Sequence, residues 1–265
     1  MSHAAACWAS LQAIRQRAPL VHNITNFVSM EVVANCLLAL GASPAMVHAE
    51  EEVEDFLGIA QALVVNIGTL SPPWVAAMLR AAARAGALGR PWVLDPVGAG
   101  ATPYRTRTAL DLIALRPMVI RGNASEILAL AGAAAGPTKG VDSAHGADEA
   151  VDAARQLAAS SGAVVAVTGA IDRITDGERS RAVSNGDARM TRVTALGCAA
   201  SAVIGAFLTV ESDPLEAAAQ GLAVFGLAGE RSAAGSAGPG GLRWRIVDEL
   251  ALLDETIVRG GVRIA

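Results

Sequence analysis

A glycine and a cysteine stand where the stretch VTALGCAASAVIGAF (residues 193–207) changes from β-branched to small, helix-forming residues. A glycine at such a junction lets backbone amides approach an anion, and the first turn of a helix leaves its amides unpaired and carries partial positive charge. That field lowers the pKa of a thiol. Ala195, Leu196, Gly197 and Cys198 can therefore form an anion hole for a phosphoryl group, with Cys198 as base or orienting group. The alternative is a buried small residue on an alanine-rich helix.

Two carboxylates occupy positions suited to a magnesium site. Asp95 ends the buried pattern PWVLD, and Glu126 follows Asn123 by three residues in RGNASEI. Together they suit a water-rich Mg²⁺ site for phosphoryl transfer, with Arg121 donating to nucleotide phosphates. The structural alternatives stay open, because Asp95 is also an ordinary turn or cap residue and Asn123 with Glu126 has the spacing of a capping box.

The remaining candidates are uncharged. Thr168 and Gly169 follow the β-rich run AVVAV and can bind phosphate through a hydroxyl and a backbone amide, or can simply end a strand. The segment HNITN (22–26) offers amides and a hydroxyl to a small polar ligand, although these residue types are also common in turns. Met46 is by default a core residue.

The elements that must position these residues alternate along the chain. Short β-rich runs predict strands at 62–67, 91–95, 117–121 and 163–168. Helical spacing and capping patterns predict helices near 28–40, 50–60, 72–85, 105–115, 123–132, 146–160, 197–210, 214–233 and 242–258. This alternation implies right-handed βαβ units, and hence an α/β fold with a mostly parallel sheet covered on both faces.

The pattern changes between residues 171 and 193. Asp176-Gly177 and Asn185-Gly186 are hairpin-turn dipeptides, so antiparallel strands are expected at one edge of the sheet, and Val193 is expected to end a strand. The stretch 233–241 is expected to be a loop between the last two helices. Since no repeat or linker interrupts the pattern, we expect one domain over residues 1–265.

Four loops share a position at the carboxyl ends of the predicted strands, where open α/β sheets bind their ligands. Each combines a glycine with a polar residue. They are Asn66-Ile67-Gly68, Asp95-Pro96-Val97-Gly98, Arg121-Gly122-Asn123 and Thr168-Gly169. Their placement predicts a single site along this edge of the sheet.

Composition excludes several other classes of function. The net charge of −4, an aromatic content of 3% and the lack of a basic cluster argue against nucleic-acid binding. No long uninterrupted apolar run predicts a signal peptide or a membrane span. The three cysteines are widely spaced and odd in number, which favours a reducing, cytoplasmic setting over a disulfide framework or a zinc site. Neither GxxxxGK[ST] nor a GxGxxG that opens a helix after the first strand occurs, which disfavours P-loop enzymes and Rossmann dehydrogenases.

Seven features occur in a fixed order over nearly the whole chain. They are PLVHNITNFVSMEVVANCLLALGASPAM (19–46), ALVVNIGTL (62–70), WVLDPVGAG (92–100), IRGNASEI (120–127), VAVTG (165–169), DRITDG (172–177) and the cysteine at 198. In this order and spacing they resemble the hydroxyethylthiazole kinase family of the ribokinase-like superfamily. The resemblance implies a three-layer α/β/α fold with a mostly parallel central sheet and an antiparallel edge.

The resemblance also implies an activity. Members transfer the γ-phosphate of ATP to the primary alcohol of 4-methyl-5-(2-hydroxyethyl)thiazole, giving the thiazole phosphate used to make thiamine. Mg²⁺ is the implied cofactor. The implied assembly is a homotrimer with sites at subunit interfaces.

Roles for individual residues follow from the same resemblance, by position. The thiazole pocket is expected to contain Asn23, Asn26, Met46, Gly68 and Ala195. The residues expected to bind ATP are Arg121, Asn123, Thr168 and Gly169. Asp95 and Glu126 are expected to serve the metal, residues 195–198 to form the anion hole, and Cys198 to be catalytic where many ribokinase-like kinases use an aspartate base.

Two departures from the family pattern keep alternatives open. The family usually has Gly-Thr-Gly-Cys or Gly-Ala-Gly-Cys, whereas this chain has Ala195-Leu196-Gly197-Cys198, which adds a methyl group, restricts φ and adds bulk. Glu31 stands where an asparagine is expected. One alternative is a related kinase of another small hydroxyalkyl heterocycle; the other is a member that binds thiazole or nucleotide without turnover.

Overall fold

Strands and helices alternate over most of the chain, as the sequence predicts. The computed structural model describes residues 2–135 and 146–265. Its strands are β1 (Leu20–Ile24), β2 (Ser43–Met46), β3 (Ala62–Asn66), β4 (Trp92–Asp95), β5 (Val119–Asn123), β6 (Val164–Thr168), β7 (Asp172–Thr175) and β8 (Ser180–Val183). All four strands predicted from β-rich runs are confirmed to within two residues.

The helices flank these strands. They are α1 (His3–Arg17), α2 (Met30–Leu40), α3 (Val53–Ile59), α4 (Pro72–Leu88), α5 (Pro103–Ile113), α6 (Ala124–Ala135), α7 (Gly146–Ser161), α8 (Leu196–Phe207), α9 (Pro214–Ala234), α10 (Pro239–Leu252) and α11 (Glu255–Gly261). Three of them begin with a side-chain cap followed by proline, at Ser71, Thr102 and Asp213. Such a pair satisfies a free helix amide and fixes φ of the first turn.

The strands form one sheet in the order β2-β1-β3-β4-β5-β6-β7-β8. The first six are parallel, and β7 and β8 are antiparallel additions at one edge. Because parallel strands end on the same side, their carboxyl ends form one continuous edge. The expected sheet, mostly parallel with an antiparallel hairpin, is confirmed.

Each face of the sheet is covered by its own set of helices. Apolar side chains of α1, α2, α8, α9 and α10 form one core cluster with residues such as Val21, Val64 and Val93. Those of α3 to α7 form a second cluster with residues such as Leu63, Val65 and Leu94. Alternate residues of β3 thus point to opposite cores. The three-layer arrangement is confirmed.

Helix α8 lies unusually close to the sheet. A Cβ atom added at Gly205 would lie 2.7 Å from Cγ2 of Val64, so only glycine fits there. The alanine-rich composition of α8 therefore serves close helix–sheet packing from Ala199 onward. This packing brings the start of the helix to the carboxyl ends of β3 and β4.

No strand was predicted at HNITN, but His22 and Asn23 belong to the buried strand β1. This strand was not predicted because polar residues interrupt its short apolar run. The last predicted helix is two helices, because the side chain of Asp254 accepts a hydrogen bond from the Ile257 amide and starts α11.

Only the first hairpin dipeptide forms a hairpin turn. Asp176-Gly177 joins β7 and β8, whereas Asn185-Gly186 contacts α9 through Glu230 and is followed by a short 3₁₀ helix, Ala188–Arg192. Val193 does not end a strand; it follows this 3₁₀ helix. The expected strand before residue 195 is therefore wrong, and the chain enters α8 from a turn.

The loop expected at 233–241 is shorter than predicted, since α9 continues to Ala234 and α10 begins at Pro239. None of the helices in the described part of the chain combines the length and apolar character that crossing a bilayer requires.

Strand β1 contains a fully buried histidine whose protonation should affect stability. His22 Nε2 lies 2.9 Å from the carbonyl oxygen of Val47, so Nε2 carries the donated proton, and burial lowers the pKa of His22 to about 4. Between the unfolded value near 6.5 and the folded value, the unfolded chain binds more protons. Stability therefore falls as pH decreases through this window.

We expect the free energy of unfolding to fall by about 2 kcal/mol between pH 7 and pH 5 because of His22. In His22→Gln, which keeps a donor toward Val47, this contribution should disappear. Urea unfolding at pH 7, 6 and 5 measures it. Identical pH dependence in both proteins would contradict this assignment.

Candidate functional site

The sheet register places polar residues of adjacent strands side by side at the carboxyl edge. Asn66 pairs with Asp95, and Asn123 pairs with Thr168. The start of α8 crosses this edge from the neighbouring layer. The predicted loops after β3, β4, β5 and β6 are thus brought to one edge.

Asp95 is the most deeply buried charged group of this edge. One carboxylate oxygen, Oδ2, accepts hydrogen bonds from Asn66 Nδ2 at 2.7 Å and Ser201 Oγ at 2.9 Å. The other, Oδ1, has no hydrogen-bond partner in the described part of the chain and lies 4.0 Å from Arg121 Nη1. Burial raises the pKa of Asp95, and the Arg121 charge and the Ser201 hydroxyl oppose that shift.

Arg121 connects three elements. From β5, its Nη2 donates to Thr168 Oγ1 on β6 at 2.7 Å. Its guanidinium also lies against Gly197, where an added Cβ atom would be only 2.8 Å from Nη1. A side chain at 197 would therefore displace the Arg121 guanidinium from its present position. A cation and the start of a helix converge here.

The start of α8 presents free backbone amides. The Ala199 amide donates to the Ala195 carbonyl at 2.9 Å, which closes the first turn. The amides of residues 196, 197 and 198 precede this bond, and no acceptor for them occurs among residues 2–135 and 146–265. With Arg121 alongside, these donors suit a phosphoryl group. These free amides lie at the position of the anion hole predicted from the sequence, which stays a prediction.

Ala195 adopts a backbone conformation that favours glycine. Its φ is 72° and its ψ is −5°, the left-handed region, at the N-cap of α8. The strain for alanine there is about 1 kcal/mol. The bulk that Leu196 adds lies in the core, because that side chain is 3% exposed, so only its backbone amide is available.

Cys198 lies beside Asp95 and behaves differently from the prediction. Its sulfur accepts a hydrogen bond from Asn26 Nδ2 at 3.3 Å. Burial raises the pKa of the Cys198 thiol, and the Asp95 carboxylate raises it further. The expected lowering of this pKa by the helix start is therefore wrong, since desolvation and a nearby negative charge outweigh it. The thiol is neutral at pH 7.

Two asparagines link Cys198 to Asp95. Asn26 Nδ2 donates to Asn66 Oδ1 at 2.8 Å, and Asn66 donates in turn to Asp95. Asn66 Oδ1 also accepts from the Gly68 amide at 2.9 Å. A Cβ atom at Gly68 would lie 2.6 Å from Asn26 Nδ2, so this contact requires glycine. These hydrogen bonds join Asn26 and Gly68, which were predicted to line the thiazole pocket. They continue to Cys198, predicted to be catalytic, and to Asp95, predicted to serve the metal.

Glu126 forms the capping box expected for α6. Its Oε2 accepts from the Asn123 amide at 2.8 Å, and Asn123 Oδ1 accepts from the Glu126 amide at 3.0 Å. Its Oε1 accepts from the Gly98 amide at 2.9 Å, which ties α6 to the loop after β4. Both oxygens thus hold backbone amides.

Thr168 and Gly169 line a cleft of about 720 Å³ formed by α7 and β6 to β8. Thr168 Oγ1 receives the Arg121 hydrogen bond, but the Gly169 amide donates to Asp172 Oδ1 at 3.0 Å. That amide therefore already has an acceptor, in contrast to its expected donation to phosphate. Burial raises the pKa of Asp172 to about 6.

Three predicted positions lie apart from this network. Met46 packs partly buried against the core, and Asn23, fully buried, donates to the Val21 carbonyl at 2.8 Å. Neither has a recorded hydrogen bond to Asp95 or Cys198. Glu31, expected at a pocket or interface, forms a surface ion pair with Arg243 at 3.0 Å.

Ser201 and Asp172 were given no role from the sequence, and Asn66 was named only as part of a loop of the predicted site. Asn66 ends a buried strand in ALVVN, and this position at a carboxyl end was the available signal. Ser201 lies one turn into α8, where a serine on an alanine-rich helix carries little signal. Asp172 lies in the DRITDG motif, three residues after Gly169, which itself follows the last residue of β6.

One carboxylate oxygen of the site, Oδ1 of Asp95, is suited to bind a divalent cation. Within the described ranges no cluster of three or more histidine, cysteine or acidic residues is present. The unpartnered Oδ1 of Asp95 is nevertheless an oxygen ligand of the kind Mg²⁺ prefers. Glu126 has both oxygens engaged with amides, which suits contact through water more than direct ligation.

Comparison with known proteins identifies relatives over almost the whole length. The model of the hydroxyethylthiazole kinase family matches residues 11–256. A hydroxyethylthiazole kinase of Syntrophus aciditrophicus (strain SB) is 55% identical over 97% of this chain and 96% of its own length. One from Arabidopsis thaliana is 50% identical over 97% of this chain and 94% of its own length.

Solved structures support the same fold. The hydroxyethylthiazole kinase of Pyrococcus horikoshii OT3 superimposes with a TM-score of 0.92 and 42% identity, over 98% of each chain. A pyridoxal kinase of Staphylococcus aureus in complex with AMP-PCP gives a TM-score of 0.61 at 18% identity, over 81% of this chain and 88% of its own, which bears on the fold alone. The expected ribokinase-like fold is confirmed.

We expect Ala195→Gly to stabilise the protein by about 1 kcal/mol, because glycine adopts positive φ without the strain of a Cβ atom. Differential scanning calorimetry measures the change as a melting temperature raised by about 2 °C. Ala199→Gly is the matched control; it lies in the same helix with ordinary φ and should destabilise. A lower melting temperature for Ala195→Gly would contradict the strained turn.

Proposed function

The chain belongs to the hydroxyethylthiazole kinase family, and on that basis we propose that it transfers the γ-phosphoryl group of ATP to the hydroxyl of 4-methyl-5-(2-hydroxyethyl)thiazole, in thiamine biosynthesis or salvage. The observation that carries the proposal is the convergence of Arg121 with the free amides of residues 196–198. Such a set of donors matches the charge of a phosphoryl group in transfer.

The anion hole supplies most of the catalytic effect in this proposal. The oxygen of the acceptor alcohol forms a bond to the γ-phosphorus while the bond to the β–γ bridging oxygen breaks, and ADP leaves. The amides of residues 196–198 and the Arg121 guanidinium hold the equatorial oxygens in place. Because these donors are already oriented, little reorganisation is needed during transfer.

Cys198 is proposed to be the catalytic residue that orients the acceptor hydroxyl, while the hydroxyl proton passes to an oxygen of the transferred phosphoryl group late in the reaction. The raised pKa keeps the Cys198 thiol protonated at pH 7, so the thiol orients the hydroxyl and does not take its proton. A loose transition state develops little need for early proton loss from the alcohol. Asn26, which donates to the Cys198 sulfur, keeps the thiol in a defined position.

The acceptor pocket is proposed to lie on the β1–β3 side of Cys198. The residues that we assign to it are Asn23, Asn26, Met46, Gly68 and Ala195. Asn26 and Gly68 support this assignment most directly, because they touch each other and the hydrogen-bonded path to Asp95.

ATP is proposed to occupy the opposite side, toward β5 and β6. Arg121, Asn123, Thr168 and Gly169 are the proposed ATP-binding residues, and the cleft beside Thr168 has room for a nucleoside. The Gly169 amide contributes by fixing the turn rather than by donating to phosphate, since Asp172 already accepts from it.

Mg²⁺ is the proposed cofactor, with Asp95 Oδ1 as ligand and Glu126 acting through water. When bound, the ion supplies positive charge that neutralises phosphate oxygens. The chain contributes the ligand orientation: Asn66 and Ser201 fix Asp95 Oδ2, so Oδ1 is held toward Arg121.

We also propose the assembly and the location. Phe27 and Val28 follow Asn26 and are 69% and 56% exposed, an apolar surface beside the acceptor pocket that suits the homotrimer with sites at subunit interfaces. A cytoplasmic location is supported by the three free thiols. We further propose that residues 1–265 form one kinase domain.

A second function, phosphorylation of another small hydroxyalkyl heterocycle, is favoured by one observation. Ala195 carries a methyl group at a positive-φ position beside Cys198, where the family usually has glycine. A methyl group there reduces the space for an acceptor. A member that binds thiazole or nucleotide without turnover is the third possibility that an assay must separate.

One coupled assay of ADP release separates the three functions. We expect Mg²⁺-dependent turnover with hydroxyethylthiazole, and none above background with hydroxymethylpyrimidine or without acceptor, because the site positions a single alcohol beside Cys198. Turnover with a different alcohol alone would select the second function. Saturable thiazole binding in calorimetry without ADP release would select the third and contradict the proposed reaction.

A further inference from the structure

Arg105 reaches from helix α5 into two of the loops that border the site. Its Nη1 donates to the carbonyl oxygens of Ile67 at 2.7 Å and Val97 at 2.9 Å, and its Nη2 donates to the carbonyl oxygen of Gly68 at 2.8 Å. One guanidinium therefore joins the loop after β3 to the loop after β4.

The same two loops are held on their amide side by residues of the site. The Gly68 amide donates to Asn66 Oδ1, and the Gly98 amide donates to Glu126 Oε1, each at 2.9 Å. Arg105 holds the carbonyl side of both loops. Each loop is thus held through both its amide and its carbonyl groups. The loop of the proposed thiazole pocket is thereby linked to the loop that contacts Glu126, a proposed metal residue.

The arrangement needs an arginine in particular. All three acceptors are backbone carbonyls rather than carboxylates, and their directions match the planar fork of a guanidinium. A lysine ammonium, as a compact point charge, does not span the same three acceptors. Gly98 lets this loop lie close to the Arg105 side chain. Its φ is +74°, which favours glycine, and an added Cβ atom would lie 3.3 Å from Arg105 Cδ.

We propose that Arg105 is a positioning residue that sets the distance between the acceptor loop, 66–68, and the loop at 97–98, whose Gly98 amide donates to Glu126. This inference rests on the proposed function for its effect on turnover. Its structural part, the coupling of the two loops, stands independently of the reaction. Arg105 itself donates to no substrate group in this account.

Variants of Arg105 and of Arg107 provide a matched comparison. Arg107 is an exposed arginine two residues further along α5. Arg105→Met should lower kcat/KM for the thiazole about 100-fold, since a displacement near 1 Å at a reacting centre costs about that much. Arg105→Lys should lie between Met and wild type, and Arg107→Met should stay within about twofold.

Added guanidinium ion separates positioning from folding. At low millimolar concentration it should raise the kcat of Arg105→Met several-fold over an equal concentration of sodium chloride, with no such effect on Arg107→Met. Guanidinium destabilises folded proteins, so restored stability cannot explain a rise. Absence of rescue together with wild-type kcat/KM in Arg105→Lys would overturn the proposal.

Hydrogen exchange tests the coupling without any substrate. Amides of residues 67–70 and 97–100 should exchange faster in Arg105→Lys than in Arg107→Lys, and should do so in both loops together. Unchanged exchange in both loops overturns the proposal even if activity falls. If wild-type protein phosphorylates no thiazole, the proposed function fails, while the exchange result still decides the role of Arg105.

Discussion

A negative charge buried at the carboxyl edge of the sheet governs the arrangement around it. Asp95 is fully buried, and a carboxylate in that position is tolerated only with donors and a nearby cation. Asn66 and Ser201 satisfy one oxygen, and Arg121 lies near the other. The positions of β3, β5 and α8 are thereby tied to β4, so the contacts of this one charge hold together the elements that carry the proposed acceptor loop, Arg121 and the proposed anion hole.

The start of α8 combines strain with open donors. Ala195 in the left-handed region turns the chain so that the amides of residues 196–198 point away from any protein acceptor in the described ranges. Gly197 leaves room for Arg121, and Gly205 lets the helix approach Val64 closely enough to place that turn at the sheet edge. The packing of the helix offsets the strain of this turn, and the turn leaves a preorganised set of free amides beside a neutral thiol, as the proposed anion hole requires.

Much of this arrangement can be predicted from the sequence, and the features that could not be predicted have physical explanations. Strands such as VVN and VLD are uniform apolar runs, and the polar residues at their ends mark the site edge. Strand β1 was missed because His22 and Asn23 are polar and buried, which reverses the usual pattern. The raised pKa of Cys198 was missed because it depends on burial and on Asp95, which is 103 positions earlier in the chain and adjacent only after folding. The contacts of Arg105 could not be predicted because its partners are backbone carbonyl groups, which every residue possesses.

The most direct test of the account is the isosteric change Asp95→Asn, measured by single-turnover formation of thiazole phosphate together with urea unfolding. We predict a loss of phosphoryl transfer of about 1,000-fold, because the only buried carboxylate oxygen without a hydrogen-bond partner in the described part of the chain is removed. The free energy of unfolding should be unchanged or higher, since burial disfavours the ionised carboxyl group. Transfer within about tenfold of wild type, or a marked loss of stability, would contradict the account.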